Sequence, residues 1–144
     1  MSDFSIYIEL YNDTHSTLKF KSKTETRGCW ESMPPLTIAP FKNVSFVMEK
    51  LSSDVPSGSE GTVTYQVAVP DTNEEGDNST TDVTFTAKFC DPYFGNNYCQ
   101  FNTSHPKLFS IYFQAKIDNG NWNKNYCPKS GHPVYLRLFI KEIS

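Results

Sequence analysis

The chain has 144 residues, a formal net charge of −3 at pH 7 and 20% charged residues. These values argue against nucleic-acid binding through a broad basic surface, because that mode of binding needs a large excess of Lys and Arg. The length suits one domain with a sizeable core, and aromatic residues make up 15% of the chain, which is more than we expect such a core to need.

Alternation of apolar and polar residues with a period of two dominates the chain and predicts half-buried strands. The first strand is predicted around Phe4–Leu10, and a short second strand covers Thr17–Ser22. The Pro-rich segment 33–40 can form an edge strand of a sheet but not a central strand. Further alternating segments are at 44–49, 61–69, 83–89, 109–117 and 134–140. About seven or eight short strands without helical periodicity predict an all-β fold, a single-domain antiparallel β-sandwich over residues 1–144.

Four segments between these strands are predicted to be loops, and the shortest of them is RGCWES at residues 27–32. Residues 70–81 are acidic and rich in turn residues, and residues 118–133 form a long polar segment. Residues 90–99, CDPYFGNNYC, contain Pro92 and Gly95, which end a strand ladder and favour a turn. The Tyr93-Phe94 pair is therefore expected at the tip of a loop, where binding residues are often displayed.

Five aromatic residues fall in segments predicted to be loops: Trp30, Tyr93, Phe94, Tyr98 and Trp122. Each of them alone is more often a buried residue, but five together favour a binding surface. Aromatic rings flanked by Asn, Lys and Gly suit a membrane interface. They equally suit stacking on a sugar, so a carbohydrate-binding lectin is the alternative function.

No sequence motif supports catalysis. A nucleophile elbow, an H-E-x-x-H pair and a phosphate-binding glycine loop are all missing from the chain. Cys29, Cys90, Cys99 and Cys127 are predicted to be buried thiols, or to include a local Cys90–Cys99 bridge. Zinc bound with the help of His105 is less favoured, because the spacing lacks a short C-x2–4-C pair. We expect a protein that is not an enzyme and that has no metal or other cofactor.

The N-terminus, MSDFSIYIELYND, has no basic and apolar pattern of a signal peptide. No run of 18 apolar residues predicts a membrane-spanning helix. We therefore expect synthesis in the cytosol without a classical signal peptide, followed by release and action outside the cell at target-cell membranes.

The order of four segments resembles that of the aegerolysin family. These segments are IYIELYNDTHSTLKF, RGCW, SGSEGTVTYQV, and DVTFTAKF running into DPYFGNNYCQF. The chain is most similar to the small component of two-part bacterial insecticidal proteins, over roughly residues 4–117. The later NGNWNKNYCPKSGHP segment departs from the family's pattern.

This resemblance implies a small aegerolysin/actinoporin-like β-sandwich that binds a membrane lipid or receptor and recruits a larger pore-forming protein. By position, Glu60 matches the acidic residue with which fungal members recognise a sphingolipid headgroup, and Trp30 matches a tryptophan of the same site. Tyr93 and Phe94 replace tryptophans of the fungal loop, which leaves the identity of the lipid open.

The resulting hypothesis is a non-enzymatic membrane-binding component of a pore-forming cytolytic or insecticidal pair. Its expected partners are a target-cell lipid or receptor and a larger pore-forming protein, but not nucleic acid, and a homo-oligomer is left open. The expected membrane-binding residues are Trp30, Glu60, Tyr93, Phe94, Tyr98 and Trp122.

Overall fold

A computed structural model of the chain describes residues 3–51, 57–71 and 79–143. These residues form eleven strands: β1 (Ile6–Asp13), β2 (Leu18–Arg27), β3 (Cys29–Ser32), β4 (Thr37–Ile38), β5 (Lys42–Glu49), β6 (Ser59–Pro70), β7 (Thr80–Asp91), β8 (Tyr98–Thr103), β9 (Phe109–Ile117), β10 (Asn123–Lys124) and β11 (Val134–Glu142).

The strands form two sheets packed as a sandwich. The first sheet has the order β10-β9-β11-β1-β5-β3, and the second has the order β4-β2-β6-β7-β8. The predicted all-β sandwich is thus confirmed. In one detail the first sheet differs from a purely antiparallel one, because β1 and β11 pair in parallel.

The core lies between the sheets because most of the long strands bury alternate side chains, whereas β2 buries only Leu18. In β1 the buried side chains are Ile6, Ile8 and Leu10, each at most 1% exposed. Strands β6, β7, β9 and β11 contribute in the same way, and their buried residues include Val63, Tyr65, Val83, Phe85, Phe89, Phe113, Leu136 and Leu138. The predicted periodicity therefore places these strands correctly.

Several predicted loop boundaries are wrong. Residues 29–32, which contain Trp30, form β3, and Tyr98 is the first residue of β8. The two-residue strand β10 interrupts the predicted 118–133 loop. In the predicted 70–81 loop, β6 extends to Pro70 and β7 begins at Thr80, while residues 72–78 lie outside the described residues. The Pro-rich segment does supply an edge strand, β4.

One end of the sandwich, here called the site end, brings distant parts of the chain together. Strand β7 ends there at Asp91, β8 begins at Tyr98, and the 92–97 loop joins them. The paired residues Ile6 and Val134 place the starts of β1 and β11 at the end of the first sheet where β5 finishes. The N-terminal segment and the end of the 118–133 segment consequently lie beside the loop.

Candidate functional site

The 92–97 loop presents two aromatic side chains to solvent, as predicted. Phe94 is 80% exposed and Tyr93 is 45% exposed. Their rings meet edge to face, with centroids 4.7 Å apart and an interplanar angle of 81°. Gly95 follows with φ of +103°, a backbone conformation that residues with a side chain rarely adopt. We call Tyr93 and Phe94 the aromatic tip.

The tip is supported from below by Phe4, which precedes β1. The ring of Phe4 is 5.6 Å from that of Tyr93 and 4.0 Å from that of His132, measured between centroids. Phe4 itself is buried. The ammonium group of Lys50 lies 5.9 Å from the Phe4 ring, which places a cation at the same end. The exposed rings are therefore mounted on a packed aromatic base.

A buried carboxylate lies at the root of the loop. Asp91 is fully buried, and its Oδ1 contacts Nδ1 of His132. Its Oδ2 has no hydrogen-bond partner among the described residues. Burial raises the pKa of the Asp91 carboxyl to about 6, although the interaction with His132 opposes this shift. The last residue of β7 thus titrates well above the ordinary range of an aspartate.

Asn97 fixes the other side of the loop. Its backbone N–H donates to the carbonyl oxygen of Lys129 at 2.8 Å, and its Nδ2 donates to the carbonyl oxygens of Pro128 and Gly131 at 3.3 and 2.9 Å. Its side chain is nearly inaccessible to solvent. The 92–97 loop and the 128–131 segment are consequently held as one unit.

Glu60 lies in a row of side chains that crosses the outer surface of the second sheet. Arg27, Glu60, Cys90 and Tyr98 occupy paired positions on β2, β6, β7 and β8. The Tyr98 hydroxyl donates to Glu60 Oε2 at 3.1 Å, the Cys90 thiol donates to Oε1 at 3.6 Å, and Arg27 Nε is 3.9 Å from Oε1. This row borders the loop, because Cys90 and Tyr98 flank it in the chain.

Partial burial of this row shifts two of its pKa values. Burial, with the Glu60 carboxylate as the second cause, raises the pKa of the Cys90 thiol to about 12. The same two causes raise the pKa of the Tyr98 hydroxyl to about 12. Both groups stay protonated near neutral pH and donate to Glu60, whereas the exposed Arg27 supplies a cation beside the carboxylate.

Trp30 does not project from a loop. It lies on β3 and packs partly buried against the core, with its ring centroid 6.0 Å from that of Phe46 and 6.1 Å from that of Phe89. Its Nε1 is buried. The expectation of an aromatic loop residue here is wrong because β3 is a short edge strand, whose sequence shows little alternation.

Trp122 lies over the outer surface of the first sheet instead of at the tip. The guanidinium of Arg137 is 4.0 Å from the Trp122 ring centroid, and the ammonium of Lys116 is 5.2 Å from it. These cations come from the outward-facing positions of β11 and β9. Of the six predicted site residues, four therefore belong to the tip or to the row beside it: Glu60, Tyr93, Phe94 and Tyr98. Trp30 is at the same end of the first sheet but packs inward.

Of the two predicted alternatives for the cysteines, buried thiols and a local Cys90–Cys99 bridge, the structure excludes the bridge; Cys90 and Cys127 are buried, and Cys29 and Cys99 are partly buried. All four are free, and Cys90 points outward towards Glu60 whereas Cys99 packs against the core. Neighbouring strands place the two thiols on opposite faces of the second sheet, which excludes a Cys90–Cys99 disulfide. Within residues 3–51, 57–71 and 79–143, no group of three or more His, Cys, Asp or Glu side chains is arranged to hold a metal ion.

Sequence reasoning missed the residues that support the tip, namely Phe4, Asp91, Asn97 and His132. Asn97 was a visible turn residue, but its three partners lie more than 30 positions away in the chain. Phe4 and His132 meet only because β1 pairs with β11, and no local pattern in the sequence shows that pairing.

In the part of the chain that the structure describes, no helix has the length and apolarity to span a bilayer.

Comparisons with known proteins show a likeness in fold but none in sequence. No protein-family model matches the chain, and no curated protein matches it. The fold is similar to that in the crystal structure of the lipid-binding protein Nakanori, with a TM-score of 0.57 and 11% sequence identity. The alignment covers 95% of this chain and 70% of that one. The chain therefore shares its β-sandwich fold with a lipid-binding protein.

Proposed function

We propose that this protein binds membrane lipids through the aromatic tip and thereby acts as the membrane-recognising component of a two-protein pore-forming system. The observation that carries the proposal is the exposure of Phe94 and Tyr93 on a loop that is fixed from both sides. Exposed rings on a rigid loop lose little conformational freedom when they enter a headgroup layer. The shared fold with a lipid-binding protein and the resemblance to the aegerolysin family support the same function.

Two rings contribute a modest binding free energy. Full burial of a large apolar side chain contributes roughly 1.5–3 kcal/mol, and Tyr93 is already half covered, so the pair supplies about 2–4 kcal/mol. A total of about 4 kcal/mol corresponds to a dissociation constant near 1 mM. The tip therefore needs further contacts to hold the protein at a membrane.

We assign those contacts to the row beside the tip. Arg27 carries a positive charge and Glu60 a negative charge, 3.9 Å apart and facing solvent. A zwitterionic lipid headgroup carries the complementary pair, because its phosphate suits Arg27 and its ammonium suits Glu60. Lys50 adds a second cation at the same end. The preferred ligand class is accordingly a zwitterionic phospholipid or sphingolipid.

Docking of this kind leaves the bilayer intact. A pore needs a closed structure across about 30 Å of hydrocarbon, whereas the tip inserts two side chains. We therefore assign the pore to a larger partner that this protein recruits, as the resemblance implies. In this proposal the protein performs no catalysis.

Vesicle flotation tests the lipid-binding step. The full chain is mixed with vesicles of phosphatidylcholine and phosphatidylethanolamine, with and without ceramide phosphoethanolamine, and the vesicles carry an entrapped dye. We expect the protein to float with vesicles of at least one of these compositions and to release no dye on its own.

Two results would count against this function. Binding to glycans that free sugar competes away, with no flotation on any of the vesicles, would identify a lectin instead. Dye release by the protein alone would contradict the assignment of the pore to a larger partner protein.

A further inference from the structure

Two of the four thiols face each other at the side of the sandwich where β8 and β9 meet. Cys127 belongs to the buried core, and Cys99, the second residue of β8, packs against it. The side chains of Cys99 and Cys127 interact directly, and the Cys127 thiol also donates to the carbonyl oxygen of Pro128 at 3.6 Å. Asn97, two residues before Cys99, is bonded to Lys129, two residues after Cys127, so the backbones on both sides of the thiols are also held together.

The other two cysteines are placed differently. Cys90 faces the opposite side of the second sheet and donates to Glu60. Cys29 is on β3, at the edge of the first sheet farthest from β9 and β10. A disulfide requires Cα atoms within about 7 Å and side chains that point at each other, which leaves Cys99 and Cys127 as the matched pair.

The interaction between the two thiols shifts their pKa values in opposite directions. The interaction with Cys127 raises the pKa of Cys99, and the same interaction lowers the pKa of Cys127. Thiolates, and not thiols, attack disulfides, so exchange begins at whichever thiol of the pair loses its proton first. Most residues of the segment before and after Cys127 are exposed, and local opening of that segment gives an oxidant access to the sulfur.

We propose that Cys99 and Cys127 form an intramolecular disulfide when the protein enters an oxidising environment. With a small-molecule disulfide as the oxidant, the thiolate of one of the two cysteines attacks one of its sulfurs and releases one thiolate. The other cysteine then loses its proton and attacks the protein sulfur of the mixed disulfide, which releases the second thiolate. Two protein thiols lose two electrons and two protons, and one small-molecule disulfide is reduced to two thiols.

The bond would link β8 covalently to the 118–133 segment. Both of these carry the supports of the 92–97 loop, since Asn97 precedes β8 and its carbonyl partners lie at 128–131. The linkage would close a loop of about 28 residues and reduce the entropy of the unfolded chain. Oxidation is thus expected to stabilise the end of the molecule that carries the aromatic tip, a property that does not depend on which ligand the tip binds.

Oxidation of the full chain with oxidised glutathione tests the proposal. The protein is incubated natively, its remaining thiols are alkylated, and peptide mapping by mass spectrometry identifies the linked cysteines. We expect one species that has lost two hydrogens, with Cys99 joined to Cys127 and with Cys29 and Cys90 alkylated after unfolding. The thermal midpoint should rise by roughly 5–10 °C and return to its original value after reduction.

Matched variants separate the pair from the other thiols. Cys127→Ser and Cys99→Ala should each lose both the linkage and the thermal shift, whereas Cys29→Ser and Cys90→Ala should keep them. Peptide mapping of the wild-type chain decides the matter if a core variant does not fold. A bond to Cys29 or Cys90, stable glutathione adducts without a bond, or a Cys99–Cys127 bond that leaves the thermal midpoint unchanged would each overturn the proposal.

Discussion

The ring of Tyr93 packs against the ring of Phe4 at a centroid distance of 5.6 Å, although 89 residues separate them in the chain. This contact joins the exposed loop to the start of the first sheet. Phe4 in turn packs against His132, whose ring contacts the buried Asp91 at the root of the same loop. The tip is consequently a rigid part of the sandwich, and its supports can be tested one at a time.

Removal of the Phe4 ring should loosen the tip and lower stability together. Because Phe4 is buried, Phe4→Ala is expected to reduce the free energy of unfolding by about 3–4 kcal/mol in urea titrations. Phe4→Leu keeps most of the apolar volume and should lose less than about 1.5 kcal/mol. Equal stability of the alanine variant and the wild type would contradict the packing of Phe4 beneath the loop.

The buried Asp91 predicts a pH-dependent difference between wild type and Asp91→Asn. Because burial raises the pKa of Asp91 from 3.8 to about 6, the native state keeps a proton that the unfolded chain releases. Between these two pKa values, the contribution of this group to the free energy of unfolding falls as the pH rises. The asparagine variant cannot titrate there.

The stability of Asp91→Asn relative to wild type should therefore increase by about 2–2.5 kcal/mol between pH 4 and pH 7. Thermal unfolding of both proteins across this range measures the difference directly. Asp3 and His132, which both act on the Asp91 carboxyl, are present in both proteins, so the two differ only in the group at position 91 and in its interactions with these neighbours. A difference that stays flat across the range would mean that Asp91 titrates normally.

Gly58 allows the start of β6 to pass close to the root of the loop. A Cβ at this position would lie 2.1 Å from the carbonyl oxygen of Asp91 and 2.6 Å from Cα of Pro92. Both atoms belong to the backbone, so Gly58→Ala must displace the loop and is expected to cost at least about 2 kcal/mol in urea unfolding. Gly120→Ala, with one contact at 3.0 Å, is the control and should cost less.

Removal of the negative charge of Glu60 should weaken lipid binding more than it weakens folding. Glu60→Gln retains one oxygen, which can accept from either Tyr98 or Cys90, but it no longer attracts an ammonium headgroup. Loss of one charge-assisted contact, about 1.5–3 kcal/mol, predicts roughly a tenfold or greater decrease in affinity for zwitterionic vesicles. The control is Glu25→Gln. Glu25 lies on β2 in the same sheet as Glu60, and this variant should bind like the wild type.

The sequence predicts the long strands well because their burial follows a period of two. Ile6, Ile8 and Leu10 alternate with polar or aromatic residues on the open face of the first sheet, and β6 and β7 show the same pattern. The sequence pattern does not predict strands β3 and β8, because they are short edge strands with turn residues close by. The parallel pairing of β1 with β11 depends on tertiary packing, and neither strand's own sequence specifies it.

The same distinction applies to the site. Pro92 and Gly95 mark the turn, so the exposure of Tyr93 and Phe94 follows from nearby residues. Trp30 has a similar polar neighbourhood but is drawn against Phe46 and Phe89 by the packing of the two sheets. Whether an aromatic residue is displayed or buried thus depends on contacts that lie far away in the sequence.

The most direct test of the central claim compares vesicle binding by two variants that remove exposed apolar side chains from different places. The double variant Tyr93→Ser/Phe94→Ser removes the tip, and Leu36→Ser removes a side chain of similar exposure between β3 and β4. With folding verified by circular dichroism, we expect the double variant to lose at least about tenfold in affinity for vesicles that bind the wild type, and Leu36→Ser to stay within about twofold. Wild-type affinity in a correctly folded double variant would contradict membrane recognition through the aromatic tip.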